Sequence, residues 1–243
     1  MSAELRVAVF SDVHGNLQGL QAVLAEIERR GGFDRIVAAG DHCLNGPDPV
    51  VSLDMVMDRA SDVLIGNTDR DIVDSGASDP DLGNKKADSI AWTRERLGQD
   101  RIEMLARLAF KVDIAAPDRM MLKIVHANPH DVDRHIFPDM ADADLDELVG
   151  DVDVAMLAFG HLHIPFTRKF GDLTLVNIAA AGLPRDGDRR ATWGEFEWAR
   201  ASGWSVVTHR VEYPYQETVR RMFDSGMPHP ERRSRDLLRA TYE

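Results

Sequence analysis

A single cysteine, Cys43, stands in a chain of 243 residues. That excludes an internal disulfide and suits a reducing cytoplasm. No apolar run approaches the ~20 residues that a membrane-spanning helix needs. The opening MSAELRVAVFSD has neither the basic head nor the long apolar stretch of a secretory signal. From these absences we expect a cytoplasmic protein with no membrane partner. Positive charge is also short, with 29 Lys and Arg against 41 Asp and Glu and a formal net charge of −12. Non-specific binding to nucleic acid or to an anionic membrane is therefore not expected. A small phosphorylated substrate is still admissible, because bound cations dominate the field of a local site. The chain has no internal repeat and no low-complexity tract.

The composition, 44% hydrophobic and 29% charged, is ordinary for a globular protein. The length suits one domain over residues 1–243. The first half alternates strand and helix. Strands are expected at Arg6–Phe10, Arg35–Ala39 and Asp62–Ile65. One helix runs from an Asn16 cap to Arg30, where Gly31-Gly32 stops it, and a second spans Pro49–Arg59. Such alternation builds βαβ units. Residues 74–85 read as an exposed loop, followed by helices Ala87–Leu97 and Gln99–Leu108. From Phe110 onward, closely spaced strands (residues 111–116, Met120–His126, Val154–Phe159, Leu173–Ile178, Thr192–Trp198 and Trp204–Val211) suggest another, mixed sheet. Asp139 to Asp153 reads as an exposed acidic helix. A helix pair in about 214–243 closes the chain and could pack on the domain or form a homodimer contact.

Five apolar runs end in residues that can bind a metal: Asp12 and His14, Asp41, Asn67, His126, and His161 and His163. In open α/β sheets, ligands bind beyond the carboxyl ends of the strands. In extended chain, Asp12 and His14 would point the same way, as would His161 and His163. Asp41 offers two carboxylate oxygens, Asn67 a neutral carbonyl oxygen and His126 another imidazole. Oxygen and nitrogen ligands without thiolate suit Mn, Fe, Zn, Ni or Co. Seven ligands exceed the needs of one ion and suit two divalent ions that share a carboxylate. Such ions sit ~3.5–4 Å apart in phosphoryl-transfer sites.

In their order, Asp12-x-His14, Gly40-Asp41, Gly66-Asn67, Val125-His126 and Gly160-His161-Leu162-His163 resemble the calcineurin-like metallophosphoesterases, in particular a small prokaryotic branch of phosphodiesterases and phosphatases. The likeness runs from residue 6 to about 195 and includes Gly46-Pro47, Trp92-Thr93-Arg94 and the 182–188 segment. It implies an α/β fold, a four-layer α-β-β-α sandwich of two mixed sheets flanked by helices. It also implies one metal on Asp12, His14, Asp41 and His163, and another on Asp41, Asn67, His126 and His161. A hydroxide bridging the two would attack phosphorus in an ester or anhydride of a small molecule or nucleotide.

One departure from that pattern concerns the acid. Many members have His after the Asn, where it is thought to protonate the leaving group. Here Thr68 follows Asn67, and a hydroxyl does not titrate near neutral pH. Asp69 thereby loses its usual imidazole partner and could pair with Arg70, itself a candidate phosphate contact. Asn67, Asp69 and, in the loop after His126, His130 are the candidate catalytic residues. A second departure is Asn177-Ile178-Ala179-Ala180-Ala181-Gly182, where relatives often have Pro-Gly-Ser after the Asn. For the remaining polar residues the ordinary roles are preferred: Asn16 as a helix cap, Cys43 as a buried thiol, His42 at surface or core, and His135, His209 and His229 as satisfied histidines. Two rival functions are a non-catalytic metal-binding scaffold of the same fold and a nuclease of the same superfamily. The scaffold reading is weakened because every ligand position is filled. The nuclease would want a basic groove that this charge does not advertise.

Overall fold

A computed structural model describes residues 3–74 and 84–242, so the core of the expected 74–85 loop lies outside the described residues. Its strands are β1 (Leu5–Phe10), β2 (Arg35–Ala38), β3 (Asp62–Val63), β4 (Lys111–Ala115), β5 (Met121–Val125), β6 (Met156–Phe159), β7 (Phe166–Phe170), β8 (Leu173–Asn177), β9 (Ala191–Ala199) and β10 (Gly203–Val211). Its helices are α1 (Leu17–Arg30), α2 (Pro49–Arg59), α3 (Asn67–Asp74), α4 (Asn84–Leu105), α5 (Asp142–Val149), α6 (Tyr215–Asp224) and α7 (Pro230–Arg239). Two five-stranded sheets form, in the orders β10-β9-β1-β2-β3 and β4-β5-β6-β8-β7. Both are mixed. β1, β2 and β3 run parallel, as do β5, β6 and β8, while β9, β10, β4 and β7 pair antiparallel. Among the described residues, no helix is long and apolar enough to cross a membrane.

Alternation along β1 sets the layers. Val7 and Val9 meet Leu122, Ile124, Ala158 and Val176 of the other sheet in the central core. Ala8 and Phe10 point the opposite way, onto Leu20, Val23, Leu24 and Ile27 of α1, as a two-residue strand period requires. On the outer face of the second sheet, Leu157, Phe159 and Leu175 pack on Leu145, Leu148 and Val149 of α5. A fourth cluster joins α2, α3 and α4 through Leu53, Ile72, Ile90 and Leu105. The result is the expected α-β-β-α sandwich.

The sequence expectations need three corrections. The last two strands do not extend the second sheet: β9 lies antiparallel to β1, with Val7 opposite Phe196, and β10 follows it by a hairpin. Strand β7 was not anticipated, because FTRKF is half-buried with alternating exposure and carries two cations. Strand β3 is shorter than expected and ends at Val63, where Leu64 makes only a bridge to Ala109. The expected break between two helices is real, since α4 is interrupted at Gly98 (φ 71°, ψ 168°). In the C-terminal pair, Met222 and Leu237 join the α1 core, whereas Phe223 and Leu238 are exposed.

Leu175 is fully buried in the α5-facing cluster, away from the ligand-bearing strand ends. Leu175→Ala is expected to lower the unfolding free energy by about 2–5 kcal/mol in a urea titration. The exposed Val51→Ala should change it by less than about 0.5 kcal/mol.

Candidate metal centre

The carboxyl ends of the parallel strands in both sheets meet at one end of the sandwich. Asp12 N donates to Gly40 O (3.0 Å), His14 N to Asp41 O (2.9 Å) and Gly160 N to His126 O (2.9 Å). These bonds sew the turn after β1 to the turn after β2, and the turn after β5 to the turn after β6. Across the sheets, His161 N donates to Asp12 Oδ2 (2.9 Å).

The i, i+2 pairs converge for a reason different from the extended geometry expected. Asp12, His14, Asp41, His161 and His163 all have positive φ, between 49° and 63°. L-residues outside glycine visit this left-handed region uncommonly, and such strain collects at functional sites. Each chain turns inward at the residue that carries the ligand atom. Two motif glycines give the room this needs. A Cβ on Gly66 would lie 2.1 Å from Asp41 Oδ1, and one on Gly160 would lie 2.3 Å from Asp12 Oδ2.

Asp41 stands between two histidines: its Oδ2 is 3.6 Å from His14 Nε2 and its Oδ1 3.5 Å from His126 Nε2. Asp12 Oδ1 lies 3.1 Å from His163 Nε2, and Asn67 Oδ1 lies 3.1 Å from His126 Nε2. The ligand atoms form two groups compact enough to hold a metal ion, Asp12-His14-His163 and Asp12-Asp41-His126. His161 sits beside the second group, its ring centroid 5.0 Å from that of His126.

The histidine tautomers follow from their outer partners. His14 Nδ1 faces Leu44 O (2.9 Å), His126 Nδ1 faces Ala39 O (2.9 Å) and His163 Nδ1 faces Leu183 O (2.6 Å). A carbonyl oxygen only accepts, so each Nδ1 carries the proton and each neutral ring turns an Nε2 lone pair inward. His161 is reversed: its Nε2 donates to Asp133 O (2.8 Å), which leaves Nδ1 as the free lone pair. Burial, then His163, pushes the His14 pKa down to about 3. Burial, then His126 and His135, does the same for His161. Both therefore stay neutral at pH 7, the form that binds metals.

The same geometry is uncomfortable for protein atoms alone. The Nε2 atoms of His14 and His163 face each other at 3.2 Å, and Asp12 Oδ1 is buried without a hydrogen-bond partner. Burial, Asp12 and Asp69 raise the Asp41 pKa well above the usual carboxylate range. Burial opposes ionisation of Asp12 too, yet His163, His126 and His14 together hold that carboxyl low. A cation between these atoms removes each conflict, so the residues present fit divalent metal ions.

Asp69 has a different place from the one expected. It is fully buried and accepts from the backbone N of Asp41 (2.7 Å), His42 (3.0 Å) and Gly66 (3.0 Å). It braces the turn that presents Asp41 and does not pair with Arg70, which bonds Asp133 at the rim. His130 is not brought to the cluster. Asn128 Oδ1 accepts from His130 N (2.9 Å) and Asp131 N (3.0 Å). The His130 ring then faces Asp151 at the surface, 3.5 Å away. The histidine this loop does deliver is His135, stacked on His161 with centroids 4.0 Å apart. Nothing in the sequence marked it, since it lies in a stretch without a motif. His42 is a core residue, its Nε2 2.8 Å from Leu64 O, and Cys43 is a buried thiol. Asn16 caps α1 by accepting from Gly19 N (3.1 Å). The Ala179–Gly182 segment braces the turn after β1, with Ala181 N on Ser11 O (2.8 Å) and Gly182 N on Asp12 O (2.9 Å). Thr68 N donates to Asp41 Oδ1 (2.9 Å), while its hydroxyl is buried and unpartnered.

A family model described as the calcineurin-like phosphoesterase superfamily domain matches residues 5–197. An uncharacterised protein of Methanocaldococcus jannaschii is 27% identical over 240 residues, covering 91% of this chain and 93% of its own. The crystal structure of a metallophosphoesterase from Sphaerobacter thermophilus is 25% identical with a TM-score of 0.79, covering 98% of this chain and 99% of that one. A hypothetical protein from Pyrococcus horikoshii OT3 shares the fold at 20% identity with a TM-score of 0.84, covering 98% and 100%.

Removing Asp69 orphans three backbone N–H groups. Asp69→Ala should therefore cost about 3 kcal/mol or more of stability and weaken Mn²⁺ binding by roughly 10–100-fold, as loss of an outer partner does. Calorimetric titration and a denaturation curve check both. Gly66→Ala should weaken Mn²⁺ binding as well, because its methyl group would collide with Asp41.

Proposed function

The chain belongs to the calcineurin-like phosphoesterase superfamily, and from that premise we propose that it hydrolyses phosphodiester or phosphoanhydride bonds of a small molecule or nucleotide, using two divalent metal ions. The observation that carries the proposal is Asp41, whose two oxygens face histidines of different strand ends. One ion would be held by Asp12, His14, Asp41 and His163, the other by Asp41, Asn67, His126 and His161. Bound there, divalent ions acidify water and neutralise charge on phosphoryl oxygens.

The chain's own groups do the rest. The four imidazoles are fixed by Leu44, Ala39, Asp133 and Leu183 carbonyls, so their lone pairs need no rearrangement when ions enter. Asp69 fixes the Asp41 turn from below. Arg70, paired with Asp133 at the mouth, would meet an approaching anion. No titratable group follows Asn67, because Thr68 carries only a hydroxyl. The leaving group must therefore depart with little proton assistance, which favours acidic leaving groups: aryl esters and anhydrides over alkyl esters. Net charge of −12 speaks against nucleic acid as the substrate.

Hydrolysis of bis(p-nitrophenyl) phosphate with Mn²⁺ tests the reading. The wild type should be active, stripping the metal should abolish activity, and Asp41→Ala or His126→Ala should do the same. Two bound ions with no hydrolysis of any ester would instead indicate a scaffold. A positioned acid is worth roughly 10²–10⁴-fold, so alkyl esters should lag aryl esters by a factor in that range. Thr68→His should narrow the gap, and equal kcat for both esters in the wild type would contradict the account of the leaving group.

A further inference from the structure

The family model stops at residue 197, yet the chain beyond it returns to the candidate metal centre. Helix α7 is capped by Ala240, whose left-handed backbone (φ 53°) turns the tail back along residues 185–187. There Gly187 N donates to Ala240 O (2.7 Å) and Thr241 forms an antiparallel bridge with Asp186. Arg185 Nη1 donates to Thr241 O (3.0 Å), and its guanidinium lies over the Tyr242 ring, 5.4 Å from the centroid. Held this way, Tyr242 Oη donates to Leu162 O (2.6 Å).

Leu162 is the single residue between His161 and His163. Both histidines are left-handed, with φ of 63° and 61°, and Leu162 N donates to Gly160 O (2.7 Å) in a tight turn. Strained conformations of this kind persist only where the surroundings hold them. The two flanks of the turn are held from within the matched stretch. His161 N donates to Asp12 Oδ2 (2.9 Å), Arg185 N donates to His163 O (3.0 Å), and His163 Nδ1 faces Leu183 O (2.6 Å). The carbonyl at its middle is held from the tail. Tyr242 is 51% exposed, so its ring adds little to any core. What its position supplies is a hydroxyl aimed at one backbone carbonyl.

We propose that Tyr242 is a positioning residue for the candidate metal centre: its hydroxyl holds the Leu162 carbonyl, and with it the turn that presents both His161 and His163. The inference rests on the two-ion reading above, in which those histidines serve different ions. One donor from the C-terminal tail therefore supports both sites. Its loss loosens the aim of two ligands without removing either, and the ions must then fix the turn themselves as they bind.

The test titrates Mn²⁺ into the metal-stripped full chain by calorimetry. The wild type should take up two ions. Tyr242→Phe keeps the ring over which Arg185 lies and removes only the hydroxyl. It should still take up two ions, with both affinities lowered by roughly ten-fold or more. Deleting residues 241–243 should weaken both at least as much, whereas the exposed Leu238→Ala should keep wild-type affinity. A merely structural contact would act on the fold and not on the ions, so the thermal midpoint of the metal-free protein is measured beside the titration. For Tyr242→Phe it should fall by no more than about 2–4 °C, the effect of one modest interaction in a chain of this size. Unchanged Mn²⁺ affinities in Tyr242→Phe overturn the proposal, as does a loss confined to one of the two ions. A sharply lowered metal-free midpoint with the affinities intact overturns it too, and makes the tail a stabilising strap only. Failure of the underlying reading looks different: the wild type itself would then take up fewer than two ions.

Discussion

Three carboxylates, Asp12, Asp41 and Asp69, are gathered inside one end of the sandwich, all 2% exposed or less. Among the described residues, none has a lysine or arginine within ion-pair distance. Asp69 is answered by three backbone N–H groups, a stable arrangement for a buried anion. Asp12 and Asp41 are answered mainly by histidines whose lone pairs also point inward. Burying like charges and lone pairs against one another is costly. The remainder of the site is arranged so that this cost persists until cations enter.

That arrangement is built from the backbone outward. Five candidate ligands occupy left-handed conformations, and the two motif glycines at Gly66 and Gly160 remove side chains that would push the carboxylates aside. Carbonyl oxygens at Ala39, Leu44, Asp133 and Leu183 choose the tautomer of each ring. The strained turns hold because hydrogen bonds from neighbouring strand ends fix both sides of each. The apolar core between the sheets, from Val7 and Val9 to Ile124 and Val176, keeps the two sets of strand ends in register. Fold and site are therefore one construction: the sheets meet face to face, and the candidate ligands sit where their parallel strands stop.

Much of this was legible in the sequence, for identifiable reasons. Apolar runs ending in Asp, Asn or His mark strand ends, and five in order resemble one family, which supplied both the layering and a set of candidate ligands, five of which come together in two metal-sized groups. The local mechanism was misread, since the i, i+2 pairs converge through positive φ and not through extended alternation. A backbone conformation of that kind leaves no periodic trace at a non-glycine residue. Long-range placement was harder still. β9 returns to the first sheet beside β1 and carries β10 with it by a hairpin, a choice that spacing alone does not reveal. His130 and His135 are five residues apart in one loop. Only the turn built by Asn128 decides that the second, not the first, stacks on His161.

The central claim is that Asp41 serves two cations at once. The most direct measurement is an anomalous difference map from crystals grown with Mn²⁺ and collected near the manganese edge. The account predicts two peaks flanking the Asp41 carboxylate, one on the His14–His163 side and one on the His126–Asn67 side. A single peak, or peaks away from Asp41, would contradict it.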